Sequence, residues 1–228
     1  MIFKLSDDLV FPPVEYAESD GILAVGGDLS VSRLLLAYSS GIFPWFNAFD
    51  PILWWAPPLR PLFTPGNLKV SKSLRQIIRR GVYKVTFDQA FNKVLNNCAS
   101  VPRPGQFGTW LTPKMKKAYT NLFELGFCHS VEAWYENRLV GGLYGVSIGG
   151  FFVGESMFHK KDNASKVAFY YLSEWLSELG YHFIDGQVPT SHLTSLGAKD
   201  VSRDEYMLLL RKAIQYQPPT RYWSEKVY

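Results

Sequence analysis

Residues 139–158 read LVGGLYGVSIGGFFVGESMF, a mostly apolar stretch with six glycines and a single charge, Glu155. Glycine-dense text of this kind fits either a phosphate-binding loop or a pair of buried strands. A Walker loop requires G-x-x-x-x-G-K-[ST] leading into a helix, and a dinucleotide fingerprint requires G-x-G-x-x-G. Neither pattern is present. The glycines recur inside strand-like text, where glycine marks a bulge, a bend or a close approach by a ligand. Two strands joined at Gly149–Gly150 are therefore predicted, with one carboxylate set in an apolar wall.

Working outward, FCHSVEAWYENRLVGGLYGVSI supplies a further hairpin turning at ENR, so the region reads as a meander. DNASKVAFYYLSEWLSELG follows as an amphipathic helix, YHFIDGQV as a short buried strand and SRDEYMLLLRKAI as a final helix. Upstream, SKSLRQIIRR begins with a capping serine and places Leu74, Ile77 and Ile78 on one face. VYKVTFD alternates as a strand, QAFNKVLNNCAS reads as a helix and VPRPGQFG as a loop. Thr112 and Pro113 open a helix that Gly126 closes. Helices around a run of consecutive strands define a mixed α+β class.

The first 60 residues are rich in proline, glycine and aromatic rings. Asp28 or Ser30 is placed to cap a short helix through VSRLLLAYSS, ended by Gly41. GIFPWFNAFDPILWWAPPLRP has neither helical nor strand period and reads as an irregular, tryptophan-rich connector, with APPLRPLFTPG as a domain junction.

Hydrophobic residues at 47% against 19% charged exclude a disordered chain, and seven tryptophans allow a ring-lined pocket. The net charge of +4 permits a polyanionic partner without requiring one. Two cysteines are too few for a disulfide scaffold and fit a reducing cytosol. Asp7 and Asp8 interrupt the first apolar residues, so no signal peptide is read, and no run is long enough to span a membrane. A soluble, cytoplasmic protein acting as a monomer is expected.

Several chemistries are disfavoured. The four histidines, at 129, 159, 182 and 192, show no metal-ligand spacing. GESMF is not G-x-S-x-G, so Ser156 lacks the setting of a serine nucleophile. His129 reads as a satisfied sheet residue and Cys98 as packing on its helix.

Three features carry chemistry. Glu155, among Phe151, Phe152, Val153, Met157 and Phe158, is costly unless it meets a cation or hydrogen-bond donors, as a structural salt bridge or as part of a site. FIDGQV puts Asp185 and Gln187 at i and i+2, on one face if the strand continues; an Asx turn at Asp-Gly is the alternative. Lys69, Lys72, Arg75, Arg79, Arg80 and Lys84 fall within sixteen residues that contain no acid. That run is either a solvated helix face or, beside the tryptophans, a site for a single-stranded RNA end.

Taken with GILAVGGDLS, LLLAYSSGIFPWF, DPILWWAPPLRPLF, GTWLTPKMKKAY, HSVEAW, NASK, IDGQV and HLTSLGA, these residues resemble the bacterial leucyl/phenylalanyl-tRNA–protein transferases over almost the whole chain. The resemblance implies a small N-terminal domain with its Trp-rich connector (1–60) and a GNAT-like acyltransferase domain (61–228) with a mixed, largely antiparallel sheet. It implies transfer of Leu or Phe from aminoacyl-tRNA to the α-amino group of proteins beginning with Arg or Lys, which creates an N-degron. No cofactor and no metal are implied. Gln187 would accept a hydrogen bond from the attacking amine, Asp185 would orient Gln187, and Glu155 would pair with the acceptor's basic side chain or amino terminus. Leu143, Phe152, Met157, Leu172, Leu176 and Ile184 would form the pocket for Leu or Phe, with Trp45 and Trp110 around the terminal adenosine and ester. Lys72, Arg75, Arg79 and Arg80 would bind tRNA.

The chain departs from the family pattern at Ala56 and Leu59, where serine and proline are usual, and at His159, where serine is usual. These bear on the pocket rim. An acetyl-CoA-type N-acyltransferase would need a glycine-rich pyrophosphate loop where this chain reads HKKDNASK. A non-enzymatic RNA-binding module would give no reason for Asp185, Gln187 and Glu155 in buried strands.

Overall fold

The computed structural model describes residues 2–101 and 110–228. The loop expected at 101–108 lies, beyond Val101, outside the described residues. The chain opens with strands β1 (Phe3–Leu5) and β2 (Ile22–Gly26), helix α1 (Val31–Ser39), and strands β3 (Phe43–Pro44) and β4 (Leu53–Trp55). These strands form one sheet in the order β1-β2-β4-β3. Ser30, not Asp28, caps α1 by accepting the Arg33 N–H, while Asp28 takes the Arg33 guanidinium. Gly41 follows in the left-handed region at φ 76°.

The tryptophan-rich stretch is thus not irregular. Its strands are two and three residues long, too short to show a period; pairing with β2 defines β4, and pairing with β4 defines β3. Trp54 anchors β4, fully buried with its ring N–H donating to Gly26 O. The junction read at APPLRPLFTPG is also a strand, β5 (Leu59–Phe63), and the division at 60/61 falls inside it. Pro61 argued against a strand because proline removes a ladder donor. Its carbonyl is nonetheless used, accepting the Gly186 N–H.

The larger unit continues through α2 (Lys72–Arg79), β6 (Lys84–Phe87), α3 (Phe91–Ser100), α4 (Pro113–Glu124), β7 (Cys128–Tyr135), β8 (Arg138–Ile148) and β9 (Phe151–His159). It ends with α5 (Ala164–Glu178), β10 (Phe183–Asp185), α6 (Ser191–Ser195), β11 (Lys199–Ser202) and α7 (Arg203–Ile214). Its seven strands run β11-β5-β10-β9-β8-β7-β6, all pairs antiparallel except β9 with β10. This is the mixed, largely antiparallel sheet that was expected. The expected meander is β7–β9, with Glu136 and Asn137 in the left-handed region at φ 48° and 58° forming its first tight turn.

The glycines of the opening stretch admit the protein's own chain rather than a substrate. A Cβ on Gly141 would stand 2.5 Å from that of Ala164, where α5 lies against β8. One on Gly145 would stand 2.2 Å from Val153 O, at the irregularity in the β8–β9 register. Gly154 differs in facing a cavity.

Side-chain alternation splits the core into two layers. Phe151 and Val153 pack with Leu34, Tyr38, Met115, Tyr119 and Leu210. Phe152 and Ile184 pack with Val167, Leu172, Leu176 and Trp223. By the same parity Glu155 points toward α1 and α4. Among the described residues, no helix is long and apolar enough to cross a membrane.

Candidate active site

β9 and β10 pair in parallel as far as Val153 with Asp185. Beyond that rung β9 runs on through Glu155, while the other chain turns away at Gly186 and Gln187. A pocket of about 530 Å³ opens where they part. Leu143, Phe152, Met157, Leu172 and Ile184 line it, together with Phe169. Leu176 does not. One turn beyond Leu172, it is fully buried in the core beneath α5, because the helix axis carries the stripe past the cavity. Trp45, 39% exposed and packed on Trp55, stands at the rim, and Trp110 lies edge-on to Tyr119.

Glu155 lines this pocket with a nearly buried carboxylate. Its Oε1 accepts from Tyr38 O–H at 2.7 Å and Gln187 Nε2 at 2.9 Å, and its Oε2 from Tyr119 O–H at 2.7 Å. Among the described residues the donors it required are neutral groups, and no cation forms a salt bridge with it. Burial lifts its carboxyl to about 7, against the hydrogen bonds from Tyr119 and Tyr38, which favour the ionised form. Burial and the neighbouring carboxylate push both phenols well above their ordinary value, so they remain donors.

Asp185 and Gln187 do not share a strand face. The strand ends at Asp185, and Gln187 is left-handed at φ 66°. Its backbone N–H donates to Asp185 Oδ1 at 2.7 Å, the Asx turn that Asp-Gly allows. The Gln187 side-chain amide donates to Glu155 instead, so its direct side-chain partner is Glu155 rather than Asp185.

Asp185 is fully buried and engaged by a residue that sequence reading missed. Arg60 on β5 reaches both of its oxygens, donates to Gly41 O at 2.7 Å, and lies over the Tyr206 ring. Tyr206 O–H completes the shell at 3.0 Å from Asp185 Oδ2. Arg60 was hidden between prolines in text read as a junction. Tyr38, Tyr119 and Tyr206 occupy apolar positions on their helices and read as core; the one available signal was a phenol that needs a buried partner.

Lys72, Arg75, Arg79 and Arg80 line a shallow depression on α2 that shares no residue with the pocket. His129 is a satisfied sheet residue, bonded to Asp88 at 2.7 Å and stacked on Trp223. Cys98 and Cys128 are buried. Among the described residues, no group of three or more His, Cys, Asp and Glu is arranged to hold a metal.

A mixed sheet that parts over an apolar pocket, with an amide and a carboxylate inside it, defines an α+β protein with a candidate site for a partly apolar substrate. Sequence relationships narrow the class. The family model for leucyl/phenylalanyl-tRNA protein transferase matches residues 62–211, and that for its N-terminal domain residues 27–58. The chain is 58% identical to the leucyl/phenylalanyl-tRNA–protein transferase of Syntrophotalea carbinolica, over 93% of this chain and 92% of that one. Identity is 52% with the transferase of Syntrophobacter fumaroxidans, over 93% and 91%, and 50% with that of Thermodesulfovibrio yellowstonii, over 97% and 91%. The chain belongs to the leucyl/phenylalanyl-tRNA–protein transferase family. A solved structure, L-PGS from Bacillus licheniformis, is more distant: 13% identity, TM-score 0.46, over 85% of this chain and 73% of that one.

Proposed function

We propose that this protein moves a leucyl or phenylalanyl group from the 3′ end of its tRNA to the α-amino group of proteins beginning with Arg or Lys. The product is a peptide bond and an N-degron, formed in the cytoplasm by a monomer. The reaction is aminolysis of an activated ester, which requires positioning and proton transfer but no metal or redox chemistry.

The observation that carries this reading is the Glu155–Gln187 pair, held at 2.9 Å within an apolar pocket. Leu143, Phe152, Met157, Leu172 and Ile184 receive the Leu or Phe side chain, which brings its ester carbonyl to the polar pair. With its amide nitrogen committed to Glu155, Gln187 has its carbonyl oxygen left to accept a hydrogen bond from the attacking amine. Glu155 attracts the acceptor's positive charge. Asp185 fixes the Gln187 backbone. The N-terminal unit that carries β1 to β4 presents Trp45 to the terminal adenosine, with Trp110 beside the ester. Lys72, Arg75, Arg79 and Arg80 neutralise phosphates of the tRNA.

Leucyl-tRNA and a peptide beginning with Arg should yield a Leu-Arg product by mass spectrometry. Absence of product from intact substrates would overturn the reading.

A further inference from the structure

Ester aminolysis poses a protonation problem, because an α-ammonium has no lone pair with which to attack. The Asp185–Gln187 motif draws attention as the place where its proton goes. Yet Asp185 is closed off. Its Oδ1 accepts from Arg60 Nε and the Gln187 N–H, and its Oδ2 from Arg60 Nη2 and Tyr206 O–H. The Gln187 amide oxygen is too weak a base.

Glu155 is placed differently: it lines the pocket, and its three hydrogen-bond partners among the described residues are neutral donors. Resting on the function proposed above, we infer that Glu155 is the catalytic proton acceptor, pairing with the acceptor's α-ammonium and taking its proton before attack. The carboxylate becomes a carboxylic acid and the ammonium a neutral amine. The amine's lone pair forms the bond to the ester carbon as the C=O pair moves onto oxygen. When that pair returns, the bond to the tRNA oxygen breaks and its electrons leave with the oxygen. Glu155 gives its proton to that oxygen and takes the surplus proton from the new amide nitrogen. Release of that last proton to solvent restores the carboxylate.

The groups around Glu155 leave it free to titrate in this way. Tyr38 faces it from α1, Tyr119 from α4, Tyr144 from β8, Cys128 from β7, Arg60 from β5, and Asp185 and Gln187 from β10 and beyond. Burial pushes the three phenols and the thiol well above their ordinary values, so they stay neutral where Glu155 titrates, at about 7.

The test measures kcat and the KM for each substrate against pH, varying leucyl-tRNA and an Arg-initiated peptide in turn, for the wild type and Glu155→Gln. Wild-type kcat should fall as pH drops below about 7. Glu155→Gln should lower kcat about a hundredfold and flatten that limb, with the KM for leucyl-tRNA unchanged. A raised peptide KM with kcat intact would reduce Glu155 to an electrostatic anchor and overturn the inference. Should the variant not fold, two peptides differing in α-amine basicity decide the matter on the wild type. A limb common to both supports Glu155, and one that follows the amine overturns it. A wild type that makes no product at any pH defeats the proposed function itself.

Discussion

Arg60 and Asp185, 125 residues apart in sequence, meet as a buried ion pair in which one guanidinium spans both carboxylate oxygens. They sit on neighbouring strands, and the same guanidinium also holds Gly41 O, just before the segment that carries Trp45. Replacing Arg60 by Met strands a buried anion and should lower stability by about 3–5 kcal/mol in urea unfolding. Arg60→Lys keeps the charge but loses the fork. It should fold and transfer leucine at least about tenfold more slowly, since a point charge cannot hold both Asp185 oxygens and Gly41 together.

Tyr38 and Tyr119 favour the ionised form of Glu155 by donating to it. Phenylalanine at either position removes one donor and raises the carboxyl further. The acid limb of transfer should therefore move to higher pH by about one unit, the equivalent of one hydrogen bond to a charged group. A limb that stays put in both variants would remove the tyrosines from this role.

The raised Glu155 carboxyl also has a stability signature. The folded state holds this proton more tightly than the unfolded chain, so stability from this group is complete below about 4.5 and declines as pH rises through about 7. Glu155→Gln lacks that decline. The stability difference between the two proteins should change by roughly 3 kcal/mol over this window, read from urea unfolding at each pH.

Leu172 and Leu176 separate pocket from core. Leu176→Ala should cost about 2–5 kcal/mol of stability while leaving the relative use of Leu and Phe unchanged. Leu172→Ala should alter that preference, measured by competing leucyl- and phenylalanyl-tRNA.

Arg79→Ala with Arg80→Ala removes two exposed cations, the last residue of α2 and its C-cap. Aminoacyl-tRNA binding should weaken, and its log–log salt slope should become shallower by about two, with the pH profile of kcat unmoved. An unchanged slope would return the cluster to a solvated helix face.

Long periodic segments were readable from sequence. Thr112 and Pro113 announce α4, the alternation of CHSVEAWY announces β7, and Asn163 to Gly180 brackets α5. β1, β2, β3, β4, β5, β11 and α6 were not, because elements of two to five residues take much of their definition from a partner. β11 and α6 also bury none of their residues. At the site, residue type and spacing singled out Glu155, Asp185 and Gln187 and left a shared strand face or an Asx turn open; the turn is the outcome, and the Gln187 side chain's bond to Glu155 was not foreseen. An i, i+2 rule holds only while the strand lasts, and here it ends at Asp185. Arg60 and the tyrosines reach the site through tertiary contacts that no local pattern encodes.

The carboxylate of Glu155 collects Tyr38 from 117 residues away, Tyr119 from 36 and Gln187 from 32, and Arg60 reaches Tyr206 across 146. Such distant pairings form late, after their loops have been closed. During synthesis the early-made residues must wait, Arg60 for Asp185 and Glu155 for Gln187, and the shell around Asp185 closes only when α7 emerges and supplies Tyr206. A chain cut short by interrupted translation before that helix is therefore expected to lack a completed reaction centre, whatever local structure it has already acquired.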